Sequence, residues 1–377
     1  MNSKSLIALA MALLMFPQIA QTLYSPALGD IGQAFGVGPQ QAGQTLSVYF
    51  LAFAFGVMAW GRMCDRIGRR PSMLAGLALY AGASILALNA RTFDELLAAQ
   101  ALAAFGAAVG SVVTQTLLRD RFKGAELAQV FSLMGIALAA SPALGLFTGA
   151  SLVQAFGYRG VLAGLLLLSV ALGLWCLRSL PETRPHTVNT PALSETLWRM
   201  LRDRDIWRST LLVALFNIAL FSYYSLGPFM VQRLHLSEQW FGYSGVVLAL
   251  GSGLGAWLNK RLLRRGASGP QVIRLAGVVM LLGASGVWLL DARAVFVLPM
   301  LLVVLAFGMA IPNILGSALA NYGDRLGTAG ALFGLFYYLL IGGGLMLVVW
   351  GQALGVTLLL CGAAALLLAL TLARPAA

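Results

Sequence analysis

Uncharged apolar residues fill this chain in long runs, and short breaks between the runs carry the charges and turn residues. The runs cover 5–25, 42–61, 72–90, 95–118, 127–152, 160–178, 209–231, 240–259, 271–290, 294–318, 329–350 and 353–373. At ~1.5 Å rise per residue each is long enough to cross the ~30 Å hydrocarbon core of a bilayer. The pattern predicts twelve transmembrane helices and an all-α membrane protein.

One break is long. Pro181 to Arg208 mixes prolines, acids and arginines between the sixth and seventh runs. It divides the chain into an N-terminal six-helix half (1–180), a cytoplasmic linker (181–208) and a C-terminal six-helix half (209–377), with a short surface helix expected over Ser194 to Leu201. Two halves of six predict an internal repeat. GRMCDRIGRR from Gly61 and GAWLNKRLLRR from Gly255 occupy equivalent breaks, 194 residues apart, and pair Asp65 with Asn259, Arg66 with Lys260 and Arg70 with Arg264.

Composition agrees with the runs. Of 377 residues 59% are hydrophobic and 10% charged, where a soluble domain carries about 25% charged residues. A net charge of +12 would suit nucleic acid in a soluble protein. Here the basic residues alternate by side: of 25 Lys and Arg, all but Arg91, Arg159, Arg233 and Arg293 fall on the side of Lys4. That asymmetry places both termini in the cytoplasm of a bacterial inner-membrane protein and argues against a nucleic-acid partner. The first run reads as a retained span, because it lacks a small-x-small cleavage site and eleven runs follow it. Cys64, Cys176 and Cys361 have neither disulfide-framework nor metal-ligand spacing.

Two patterns carry mechanism. After the second run Gly61, Asp65, Arg66, Gly68, Arg69 and Arg70 spell G-x-x-x-D-R-x-G-R-R. Glycines permit a tight reversal, and an acid among three arginines can exchange partners as neighbouring helices move. Its carboxylate also suits the positive N-terminus of another span, such as the one starting near Gly327, Thr328 and Ala329. On the fifth run Ser141, Pro142, Gly145 and Gly149 join a helix-bending proline to glycines four apart, which let another backbone come close.

GRMCDRIGRRPSML resembles the signature loop of the major facilitator superfamily, and twelve helices in two pseudo-symmetric halves extend the likeness over essentially the whole chain. The resemblance implies that fold, and a cytoplasmic gate in which Asp65 meets the eleventh helix when the carrier opens outward, with Arg66, Arg69 and Arg70 as exchange partners. The Ser141 to Gly149 pattern resembles the antiporter motif of the superfamily's drug:proton exporters, where it shapes the interface between halves. QIAQTLYSPALGDIGQAF (Gln18 to Phe35), LPETRP (Leu180 to Pro185) and LLRDRF, with Arg119 and Asp120, resemble the bicyclomycin and chloramphenicol efflux branch. Where many drug exporters carry an arginine within the fourth helix this chain has Gln100, so coupling through that arginine is not implied. The arginines of the linker and of the loop around Arg264 are left with orientation as their role.

All 13 acids fall near the ends of runs, and His186 and His235 lie in breaks, so the pattern offers no intramembrane histidine switch, metal cluster or cofactor site. Asp30, at the outer end of the first run, is the candidate for proton coupling, with a plain surface acid as the alternative. Uncharged candidates for a substrate pathway are Gln18, Gln21 and Tyr24, Thr114 and Gln115, Asn217, Phe221 and Tyr224, and Asn313. They lie on helices that, on the resemblance, line the cavity. Gln21 with Tyr24, and Asn217 with Phe221 and Tyr224, share helix faces at three- or four-residue spacing. Amides and rings without fixed charge suit varied amphipathic solutes; they also serve as glue between helices.

These readings converge on a monomeric secondary active exporter of small amphipathic compounds, exchanging them for protons by rocking of two halves in the lipid bilayer. A dedicated exporter of one metabolite, such as a siderophore, nucleoside or sugar, fits the same residues. An importing symporter would want a buried protonatable group. An enzyme would need a nucleophile or metal site, and the chain has no HExxH, G-x-S-x-G elbow or P-loop.

Overall fold

The computed structural model describes residues 3–184 and 193–372, and every regular element among them is helical. The helices are α1 (Ser3–Tyr24), α2 (Leu28–Phe35), α3 (Pro39–Ile67), α4 (Arg69–Asn89), α5 (Phe93–Arg121), α6 (Gly124–Ser179), α7 (Leu193–Arg202), α8 (Arg204–Arg233), α9 (Glu238–Arg264), α10 (Gly269–Leu289), α11 (Val297–Ala318), α12 (Leu326–Gly351) and α13 (Leu354–Leu370). Short 3-10 turns cover Ser25–Ala27, Ala294–Phe296 and Ala320–Arg325. Hydrocarbon offers no hydrogen bonds, so a spanning backbone must satisfy its own N–H and C=O groups, as helices do. Pro185, His186 and Arg374 lie outside the described residues.

Ten helical stretches are long and apolar enough to cross a membrane. One of them, within α6, is two spans. Gly157 there has a left-handed φ of 65°, and a Cβ on Gly164 would come within 2.9 Å of Leu152. In a straight helix residues twelve apart are about 18 Å apart, so the chain folds back at Gly157. With α13 as a shorter apolar helix, the structure has the twelve spans that the runs predict.

The helices outrun the apolar runs, and this alters one expectation. The G-x-x-x-D-R-x-G-R-R break is scarcely a loop: α3 continues to Ile67, α4 begins at Arg69, and Gly68 alone joins them, at φ 106°. The surface helix expected in the linker is α7.

The halves repeat one packing scheme. α3 and α4 pack on α5 as α9 and α10 pack on α11; α1 contacts α5 and α6 as α8 contacts α11 and α12. Between halves α3 packs on α12 and α6 on α9, the same pair with roles exchanged. The seams are close because glycines line them. A Cβ on Gly56 would stand 2.7 Å from the Phe105 carbonyl, and one on Gly251 2.8 Å from the Leu301 carbonyl, equivalent seams in the two halves.

Replacing Gly56 with Val is therefore expected to destabilise the protein by about 1–3 kcal/mol. Gly253, with no atom near its would-be Cβ, should accept Val without loss. Thermal unfolding of the two purified variants checks this, and equal midpoints would refute the glycine-seam account.

Candidate functional site

The charged end of the N-terminal half is organised by Arg69. Its side chain is only 4% exposed, and its guanidinium donates to Asp120 at 2.7 Å, Asp65 at 3.2 Å and the Cys64 carbonyl at 3.0 Å. Asp120, at the end of α5, also accepts from Thr183 at 3.0 Å. Glu182 grips the start of α4, taking the backbone N–H of Arg69 at 2.9 Å and of Arg70 at 3.1 Å. An anion there satisfies donors that a helix start leaves free. It also explains Gly68, because a Cβ at that position would overlap the Glu182 carboxylate. Burial pushes the Glu182 carboxyl up, but backbone N–H groups of Arg69, Arg184, Arg70 and Thr183 outweigh it and hold it below its ordinary value.

The three arginines of the motif thus have different surroundings. Arg69 is buried, Arg70 donates to the Leu177 carbonyl at 2.7 Å, and Arg66 is exposed. Asp65 bonds Arg69 within its own half, while Gly61 lies against Ala331 of α12, where a Cβ would be 3.7 Å away.

The pattern on α6 serves two neighbours at once. Gly145 and Gly149 receive Thr22 and Leu23 of α1, in the same half. The opposite half approaches on the adjoining face: a Cβ on Gly242 of α9 would lie 2.9 Å from Ala150, and one on Gly245 3.1 Å from the Pro142 carbonyl. Ser141 is buried and donates to the Ala137 carbonyl at 3.0 Å.

At the end remote from Arg69 the halves are tied by hydrogen bonds. Pro228, inside α8, has no N–H for the Tyr224 carbonyl four residues earlier. The buried Ser25 hydroxyl, from the other half, donates to that carbonyl instead. Gln239 donates to Gln154 across the same seam, and Gln232 lies against Gly29. Asp30, in the first turn of α2, accepts from the Tyr158 backbone and lies within electrostatic reach of Glu238, which opens α9.

The centre between halves is aromatic. Phe50 and Phe53 of α3 meet Tyr338 of α12 at centroid separations of 6.2 and 4.9 Å, and Phe50 meets Phe221 of α8 at 4.4 Å. Tyr337 adjoins Tyr338 at 4.4 Å and Tyr224 adjoins Phe221 at 5.7 Å. Tyr49 stacks near Phe53 and donates to the Pro17 carbonyl of α1 at 3.1 Å. Among the described residues the buried hydroxyl of Tyr224, beside Phe221, has no hydrogen-bond partner, and nor has the amide nitrogen of Gln21 on α1.

The pathway candidates therefore separate. Phe221 and Tyr224 join the aromatic centre. Asn217, on their helix, donates to the Val213 carbonyl at 2.7 Å. Gln18 is half-buried and Gln21 buried on α1, Tyr24 faces Thr45 and Gln100 inside the N-terminal half, and Gln115 donates to Ser111 at 3.4 Å. Thr114 lies elsewhere, in an apolar recess with Leu6, Leu13 and Met73. Asn313 also stands apart, donating to Asn259 at 2.8 Å and bordering a cavity of about 380 Å³ at the Arg-rich end of α8, α10 and α11. Asn259 stands at the position that Asp65 holds in the other half, and its partner here is a neutral amide.

Sequence reasoning passed over Phe50, Phe53, Tyr337 and Tyr338. The signal was present as rings spaced three apart on the second run and adjacent on the eleventh, but an aromatic in an apolar run looks like any other apolar residue. Glu182 and Ser25 were missed in a different sense: their motifs were noticed, but their partners are 112 and 199 residues away.

The family description Major Facilitator Superfamily matches residues 9–345. An uncharacterised transporter of Rickettsia bellii is 30% identical over 86% of this chain and 84% of its own length. Multidrug resistance protein D of Escherichia coli is 29% identical over 88% of this chain and 84% of its own. Among solved structures a D-xylose–proton symporter superposes with a TM-score of 0.79 at 13% identity, covering 98% of this chain and 97% of the other.

Two outcomes follow from this geometry. The Glu182 contribution is present above the ordinary carboxylate value of 4.5 and is lost as pH falls through its lowered folded value. The thermal midpoint should therefore drop less between pH 7 and pH 4 in Glu182→Gln than in the parent; parallel curves would dismiss the cap. Ser25→Ala removes a hydrogen bond worth about 1 kcal/mol, roughly fivefold in the balance between a closed and an open seam. A cysteine introduced at the buried Ala27 of the same seam should then react faster with an impermeant maleimide, and an unchanged rate would count against this tie.

Proposed function

From its membership of the major facilitator superfamily, to which this chain belongs, we propose that the protein exports small amphipathic compounds, drugs or related metabolites, in exchange for protons. The superfamily is one of membrane transporters, not of enzymes. The observation that carries the reading is the uncharged aromatic centre between the two halves. Rings from α3, α8 and α12 offer stacking and apolar surface to solutes of varied shape, and the unpartnered Tyr224 hydroxyl supplies an adaptable hydrogen bond. No fixed charge in that centre selects for an oppositely charged substrate. The likeness to multidrug resistance protein D favours breadth over a dedicated substrate.

Alternating access follows from the two seams. With the Ser25 and Gln154 ties made, the end remote from Arg69 is shut, and Asp65 is held by Arg69. The Arg-rich end faces the cytoplasm of the inner membrane on the positive-inside rule. In the opposite state Asp65 exchanges Arg69 for the N-terminus of α12, which lies close to Gly61 already. Asp30 is the group we assign to proton uptake, because it faces the outer seam, where opening would expose it.

Proteoliposomes with an imposed pH gradient test the function. Accumulation of neutral aromatic antibiotics or cationic dyes should depend on the gradient and move protons, and absence of both across such a panel would overturn it. Phe221→Ala should raise the KM for a transported compound about fivefold, in keeping with ~1 kcal/mol for an aromatic pair. Asp65→Asn should insert normally yet lose most transport. Full transport in Asp65→Asn would reduce the motif to an anchor.

A further inference from the structure

The linker arginines do more than orient the chain. One face of α7 is fixed to the C-terminal half: Thr196 and Met200 are buried, Glu195 accepts from Arg325 at 2.8 Å, and Arg199 donates to the Asn321 carbonyl at 3.1 Å while lying over the Tyr322 ring. Tyr322 in turn donates to Asp203 at 2.9 Å, and Trp207 donates to the Leu201 carbonyl and stacks on Phe336 of α12. At about 100° per residue, Trp198 stands opposite the midpoint of Thr196 and Met200, with Leu201 and Arg202 on either side. Trp198 is 58% exposed, Leu201 39%, and the Arg202 guanidinium covers the indole at 4.4 Å.

The charges on this face are one-sided. Among the described side chains the acids of α7 and the start of α8 are engaged, Glu195 with Arg325, Asp203 with Tyr322 and the start of α8, and Asp205 with Arg208 at 3.0 Å. Arg202 and Arg204, both exposed, have no acidic partner among the described residues. The face also sits where a membrane surface would be, because α8 starts to span only one residue after α7 ends. An exposed tryptophan beside uncompensated arginines at that depth has the chemistry of an interfacial helix on an anionic leaflet.

We propose that Trp198, Leu201 and Arg202 of α7, with Arg204, form a docking surface for anionic phospholipid headgroups of the cytoplasmic leaflet. The leaflet assignment rests on the orientation adopted above. Through Glu195 on Arg325 and Arg199 on Asn321 and Tyr322 the same helix holds the turn that opens α12, which packs on α3 at the gate. Lipid bound to α7 thereby steadies one wall of the gate.

The test uses the full chain in mild detergent and reads thermal stability, so it does not depend on transport or its substrate. Dioleoylphosphatidylglycerol should raise the midpoint by about 3 °C or more relative to dioleoylphosphatidylcholine. The rise should fall to less than half in R202Q/R204Q and in W198A. R202K/R204K, which keeps the charge, and R264Q/R265Q, on another exposed loop of the same side, should retain it. An undiminished rise in R202Q/R204Q, an equal loss in R264Q/R265Q, or the same rise with free glycerol phosphate would overturn the proposal.

Discussion

In hydrocarbon a helix gains little by hiding leucines from equally apolar lipid, so adhesion between spans depends on how closely backbones approach. That constraint places glycines at the seams within each half, such as Gly56 against Phe105 and Gly251 against Leu301. The seams between halves follow the same rule, with Gly242 and Gly245 of α9 seated on α6, and Gly342 of α12 on Leu51 of α3. These contacts contain little specific chemistry. A seam of this sort can part and re-form without stranding a charge, which suits surfaces that must separate during transport.

Polar chemistry is kept for the ends. Arg69 with its two aspartates, and Glu182 on the start of α4, make the Arg-rich end of the N-terminal half one bonded unit. Removing Arg69 would leave two carboxylates without a cation between them, a loss of about 3–5 kcal/mol, whereas losing Asp65 leaves Arg69 still paired with Asp120. The C-terminal half answers with the neutral pair Asn259 and Asn313. Asn259 stands where the repeat has Asp65, so at that position the N-terminal half alone carries a carboxylate. The linker shares this division: Glu182 and Thr183 hold its first residues to one half, and α7 holds its last to the other.

Much of the architecture was legible because membrane spans announce themselves by length and apolarity alone. The twelve runs, the internal repeat and the surface helix in the linker all correspond to structure. The Arg69 cluster was legible in residue type but not in partner, since nothing in GRMCDRIGRR names Asp120 or Glu182. The aromatic centre was illegible for a related reason: rings are common in apolar runs, and only folding shows that Phe50, Phe221 and Tyr338 converge. Thr114 and Asn313 show the reverse difficulty. A polar residue in a span stands out in sequence whether it faces a path or another helix of its own half.

The neutral centre also has an electrical meaning. A charge carried across the membrane potential is worth ~2.3 kcal/mol per 100 mV. The rings and glycine seams between the two halves carry none, and the ionised groups of the described residues lie toward the ends of the helices. The voltage therefore acts on what is being carried rather than on the machinery that carries it. With so little charge at the centre, the potential has little to pull on there except the solute itself.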